Sequence, residues 1–181
     1  MSSFLIRDGV ESDIETCLAL DHSCVTEFVW QMNVQQSTGQ WQITFKSERL
    51  PRSMEVHHRS DSARLRLALA EAECFVVAAA RDTGDILGYL TMRSDPVHHI
   101  AVVQDLVIAP QYRRHQIGTR LLNIARQWAR ENDHLRLMLE TQTKNYPSIQ
   151  FCQANGLNFC GFNDHYFPNG DIAVFFTQSL R

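Results

Sequence analysis

Residues 99–109, HIAVVQDLVIA, are apolar and rich in β-branched side chains, and Pro110 ends the run. A different periodicity begins a few residues on. Ile117, Leu121, Ile124/Ala125 and Trp128 recur on one face of a helix over 117–131. Residues 135–142, LRLMLETQ, then read as another strand. A strand, a helix and a strand in that order make a right-handed crossover between parallel neighbours. This unit constrains the chain most, because it demands a sheet with a parallel pair and a helix packed across it.

Around this unit the signals are shorter. FLIRD (4–8) reads as a strand and 11–23 as a helix, with Ser12 or Asp13 available as its N-cap. In the stretch 24–62, WQITFKSERL (41–50) alternates like a strand, whereas PRSMEVHHRSDS (51–62) is polar and reads as a loop. Residues 62–73 suit a short helix. CFVVAAARD (74–82), a TGD turn and ILGYLTMRS (86–94) form a hairpin, with Gly84 free to take a positive φ. Residues 145–156 suit a short helix, with Pro147 in its first turn and Gly156 at its stop. Residues 157–162 and 172–180 read as closing strands. The hairpins imply antiparallel neighbours, so the fold class is a mixed α/β sheet flanked by helices.

A chain of 181 residues with 44% apolar side chains suits one domain with a packed core. The net charge of −3 does not suggest a nucleic-acid binder. Cys17, Cys24, Cys74, Cys152 and Cys160 are odd in number and no two have C-x-x-C spacing. With no signal peptide, a reduced cytoplasmic setting is expected. The longest apolar run, 74–80, falls far short of the roughly 20 residues of a membrane span, so no membrane contact is expected.

The turn between the first strand of the crossover and its helix carries the chemistry. A helix N-terminus offers unpaired N–H groups and the positive end of the helix dipole, which together suit a phosphate. Arg113, Arg114 and His115 add charge there, and the small Gly118 and Thr119 let a ligand approach the backbone. No other phosphate-binding motif, neither G-x-x-x-x-G-K nor G-x-G-x-x-G, is present.

LVIAPQYRRHQIGTRLL resembles motif A of the GCN5-related N-acetyltransferase (GNAT) family, Q/R-x-x-G-x-G/A, with Arg113 first and Gly118 last. Gln116 stands where the inner glycine is usual. LRLMLETQTKNYPSIQFCQANGLNFCGF is similar to the family's next block, N-x-x-A-x-x-F-Y. Asn145, Ser148, Phe151 and Cys152 fall on that frame, Ser148 for the common alanine and Cys152 for the common tyrosine. The likeness covers roughly 74–180. LETQ at 139–142 and the tail from Asp164 onward resemble the streptothricin-type acetyltransferase branch.

The resemblance implies a single GNAT domain over 1–181, with an acetyl-CoA core at about 74–156 and the insertion 24–62 near the acceptor. It implies acetyl transfer from acetyl-CoA, as co-substrate, to a primary amine by direct attack. The pyrophosphate would lie on the turn formed by Arg113, Arg114, His115, Gln116, Ile117, Gly118 and Thr119. The pantetheine arm would pair with the edge at Leu106, Val107 and Ile108, facing Asn145, Ser148 and Phe151. A backbone N–H near Ile108 would hold the oxyanion.

Glu140 and Asp105, each a charge in an apolar strand, are the candidate bases. Cys152 is either the acid or a core residue, with Tyr146 and Tyr166 as substitutes. The acceptor expected is a small cationic amine. A protein N-terminus or lysine, and a non-catalytic CoA-binding regulatory role, stay open, and a homodimer is compatible with all three. His57–His58 and His98–His99 suggest no metal, because neighbours on a strand point to opposite faces and no ligand joins them at metal spacing. A positive φ at Gln116 would cost about 1 kcal/mol or more.

Overall fold

The computed structural model describes residues 3–58, 60–71 and 73–181. Its strands are β1 (Phe4–Asp8), β2 (Ser23–Ser37), β3 (Gln40–His57), β4 (Phe75–Ala80), β5 (Ile86–Asp95), β6 (Ile100–Ile108), β7 (Arg136–Gln142), β8 (Asn158–Asn163) and β9 (Ala173–Ser179). Its helices are α1 (Ile14–Leu18), α2 (Ser62–Ala70), α3 (Ile117–Glu131) and α4 (Tyr146–Ala154). Among the described residues, one sheet runs in the order β1-β4-β5-β6-β7-β9-β8 and a second is the β2–β3 hairpin.

β6 and β7 are the parallel pair that the crossover demands, and the other neighbours in the large sheet are antiparallel. The helix of the crossover lies across one face. Ile117, Leu121, Leu122, Ala125 and Ala129 of α3 are buried with β-strand residues such as Leu90, Val103 and Leu139. Burial of each large aliphatic side chain there contributes about 1.5–3 kcal/mol. The opposite face carries a smaller core in which Ile14 and Cys17 of α1 and Leu65 of α2 meet Phe75, Tyr89 and Val107. No helix among the described residues is long and apolar enough to cross a membrane.

Three expectations need correction. The helix expected over 11–23 is a short 3-10 turn, Glu11–Asp13, followed by only five α-helical residues. Asp13 does not cap it with its side chain. Its carboxylate instead accepts from the Arg7 guanidinium at 2.6 and 2.9 Å and from the Val10 amide. The loop expected over 51–62 is mostly strand. β3 runs on to His57, where Cys24 pairs with Val56 and Thr26 with Met54. Between Thr26 and Phe28 the register shifts, so residues 50–53 form a bulge, and Pro51 sits in it where no ladder N–H is needed. β2 itself is unread in the sequence, because only its partner alternates clearly. The expected helix 62–73 stops at Ala70, and residue 72 lies outside the described residues.

Candidate active site

β6 and β7 pair only from Ile100↔Arg136 to Val103↔Leu139. β6 then continues to Ile108 and β7 to Gln142 without each other. The split begins beside a bulge, where the β5–β6 register shifts between Thr91↔Asp105 and Met92↔Val103 and Gln104 is the extra residue. A cleft of about 920 Å³ occupies the gap, within the usual range for small-molecule sites. Leu106, Val107 and Ile108 line one wall, and Glu140, Asn145, Ser148 and Phe151 line the other. The β6 edge toward the split has backbone polar groups that no neighbouring strand pairs, so an extended amide-bearing ligand can complete the ladder.

The turn to α3 closes one end. Arg113, Arg114, Gln116, Ile117, Gly118 and Thr119 line the cleft there. Among the described residues, the amides of residues 114–119 have no hydrogen-bond acceptor, whereas those on either side bond Arg113 to Pro110 and Arg120 to Gln116. Arg114 has φ 66° and Gln116 has φ 64°, ψ 6°. Two left-handed residues this close bend the backbone sharply, and alternation of left- and right-handed residues is the geometry by which backbone nests gather N–H groups around an anion. The first turn of α3 adds its own orphan amides and its dipole. Gly118 keeps the approach open, since a Cβ there would stand 3.2 Å from the Phe151 ring.

The basic side chains behave differently from one another. Arg113 is a clamp. Its Nε donates to the Ile108 carbonyl at 2.9 Å, and its terminal nitrogen to Ser23 O at 2.6 Å and more weakly to Asp21 O at 3.4 Å. It therefore ties the turn to the end of β6 and the start of β2. His115 is exposed, outside the cleft lining, with Nδ1 donating to Arg113 O. Asn145 caps α4, its Oδ1 accepting from the Ser148 amide at 3.1 Å. Its Nδ2 is the side-chain group left for a ligand.

The candidate proton-transfer residues separate by burial. Glu140 lies on the cleft wall, and Tyr166 from the β8–β9 loop donates to its Oε2 at 2.9 Å. Tyr166 is pushed above its ordinary pKa, first by partial burial and then by bonding to that carboxylate. Cys152 is fully buried in the α3–α4 core and does not line the cleft, and burial pushes its thiol up to about 12. It is a packing residue. Asp105 is 1% exposed, on the opposite face of β6 from Leu106. Its Oδ1 meets His58 Nε2 at 2.7 Å and Arg64 at 3.0 Å, and Thr91 donates to Oδ2 at 2.6 Å. Burial alone would raise its pKa, but the hydrogen bond from His58, the Arg64 charge and the Thr91 hydrogen bond hold it below the ordinary value.

His58 is the residue that sequence reasoning missed. It ends the hairpin, lines the cleft and joins a carboxylate 47 positions away. No sequence spacing announces that pair. Among the described residues no group of His, Cys, Asp and Glu side chains could hold a metal ion.

A split mixed sheet with a turn of unpaired amides at its mouth defines the class: an acyltransferase-type α/β fold. The chain belongs to the acetyltransferase (GNAT) family, whose profile matches residues 36–157. It is 38% identical over 65 residues to streptothricin acetyltransferase A of Bacillus subtilis (strain 168), covering 36% of this chain and 37% of that protein. It is 30% identical over 94 residues to streptothricin acetyltransferase of Streptomyces lavendulae, covering 52% and 49%. The aligned stretches thus span less than half the length of these curated relatives. Among solved structures, nourseothricin acetyltransferase superposes with a TM-score of 0.83 at 22% identity, covering 98% of this chain and 99% of that one. A streptothricin acetyltransferase structure from Bacillus anthracis in complex with acetyl coenzyme A gives 0.75 at 21% identity, covering 98% of both. At those identities the superpositions establish the fold.

Proposed function

We propose that this protein is an acetyl-CoA-dependent N-acetyltransferase acting by direct attack of a primary amine, the acceptor being a small cationic molecule of the streptothricin type. The observation that carries the reading is the turn 114–119, with its unpaired amides at the mouth of a split parallel pair. A pyrophosphate matches the turn, and the amides of a pantetheine arm match the open edge of β6. Acetyl-CoA supplies the thioester whose carbonyl carbon the amine attacks. The chain's part is to grip the arm at Leu106, Val107 and Ile108, to present a backbone N–H near Ile108 to the carbonyl oxygen, and to exclude water with Phe151 and Ile117.

Glu140 supports the cationic acceptor. It is an anion on the cleft wall, held in place by Tyr166, and it lies across the split from the edge assigned to the arm. The hairpin 23–57 and the β8–β9 loop border the same space through Cys24, Val56 and Phe167. The streptothricin-type relatives favour a small antibiotic amine over a peptide.

Calorimetry with acetyl-CoA followed by CoA release across amines tests this. Saturable binding and turnover of streptothricin, with little turnover of N-terminal or lysine peptides, is the expected result. Binding without turnover of any amine would favour a regulatory CoA-binding role, and absence of binding would overturn the reading.

A further inference from the structure

Asp105 meets three donors, one from α2, one from β5 and one from the residue after β3. Arg64 and Thr91 already supply an ion pair and a hydroxyl bond. The third partner, His58, is half-exposed and opens into the cleft. An ionised carboxylate only accepts, so His58 Nε2 carries the proton that the 2.7 Å contact shares. The neutral ring then has its lone pair on Nδ1, which has no hydrogen-bond partner among the described residues. Asp105 lies between the start of the split at Val103 and the turn beyond Pro110, next to Leu106. The imidazole therefore borders the cleft beside the stretch of β6, Leu106 to Ile108, that is assigned to the arm.

We propose that His58 is the catalytic base of this protein, with Asp105 as the positioning residue that fixes its tautomer and orientation. The assignment rests on the acetyl-transfer reading above. The amine nitrogen attacks the thioester carbonyl carbon and its N–H proton passes to Nδ1. The C–S bond breaks as the tetrahedral centre collapses. The departing thiolate takes a proton from the imidazolium, which returns His58 to its neutral form. The groups that share its surroundings are Asp105 of β6, Arg64 of α2, the His22 ring at 6.3 Å, His57 beside it in the chain, and Glu140 across the cleft. Tyr89 of β5 stands behind His22 at 5.9 Å.

The test is steady-state acetylation of streptothricin by wild type, H58Q, H58A, D105N and E140Q over about pH 5.5–9, which spans imidazole titration. H58Q should lose about a hundredfold or more in kcat and the acidic limb of the kcat/KM profile, with acetyl-CoA affinity by calorimetry unchanged. Imidazole added to H58A should restore part of the rate, which a purely structural role would not allow. D105N should shift the limb. The inference is overturned if H58Q keeps kcat within about threefold and an unchanged limb, or if E140Q removes the limb while H58Q retains it. H58Q keeps the side-chain volume and a donor, so it reads the chemistry even where H58A is unstable. A wild-type protein that binds no acetyl-CoA, or turns over no amine, overturns the broader reading instead, and this assignment with it.

Discussion

Gln116 stands in the left-handed region at φ 64°, where an L side chain is strained. Its amide is one of the unpaired amides of the turn, and its side chain bonds to no described group there. Gln116→Gly should keep the amide and remove the strain. The expected outcome is a gain of about 1 kcal/mol, less the extra entropy of an unfolded glycine. It is read as a higher urea midpoint at constant m, with acetyl-CoA affinity within about twofold of wild type. Gly118→Asp should do the reverse. Its Cβ presses on Phe151 and its carboxylate faces the proposed phosphate, so acetyl-CoA binding should weaken tenfold or more, about 1.4 kcal/mol, by calorimetry. At this scale the sequence was half legible. The departure at 116 was visible in the motif, but the sign of φ depends on how the chain leaves β6 and enters α3. Arg113 looked like a phosphate ligand in the sequence. Only the fold brings the Ile108 and Ser23 carbonyls to it.

Between elements, Asp105 acts as a knot. It joins β6 to β5 through Thr91, to α2 through Arg64 and to the end of β3 through His58. Asp105→Asn leaves the Arg64 cation facing a neutral group, and breaking such a buried pair costs about 3–5 kcal/mol. Its pH signature has a definite sign. The folded carboxyl is depressed below the ordinary value, so its contribution is complete above about pH 4 and fades as pH falls through the folded value. Wild type should therefore lose stability on acidification below about pH 4 more steeply than D105N, measured by urea unfolding at a series of pH values. The hairpin is anchored separately. Trp30 packs among Phe45, Phe159 and Phe176, and its amide donates to Thr143 O at 2.9 Å. Trp30→Ala should cost about 3 kcal/mol by chemical denaturation, the low end for a large aromatic because the residue is only half-buried. The hairpin was the least legible element. Only its inner face is apolar, β2 carries mixed residues, and its pairing with β3 is set by the aromatic floor beneath it rather than by either strand's own pattern.

Seen whole, the large sheet is two half-sheets, β1-β4-β5-β6 and β7-β9-β8, joined by four residue pairs at one end. α3 bridges them on one face, and Trp30 brings the hairpin to the second half. A ligand lying in the split bonds the folded form alone. Acetyl-CoA at about a hundred times its Kd should therefore add about 2.7 kcal/mol to stability. The gain should appear as a raised melting temperature and as slowed amide exchange at 114–119 and along β6 past Val103. A flat melting temperature across that titration would show that the ligand does not use the split.

The parallel crossover, the covered sheet and the tight turn into α3 were determined by the sequence itself, because each follows from periodicity, a proline and a helix start within a few dozen neighbouring residues. Burial and partnership were decided by the tertiary structure alone. Cys152 and Glu140 stand in similar apolar surroundings in the sequence, yet one packs against α3 and the other faces the cleft. His58 and Asp105 come together only because β3 ends over β6. Local pattern sets which elements form. The free energy of burying or exposing each side chain is settled only when distant elements meet.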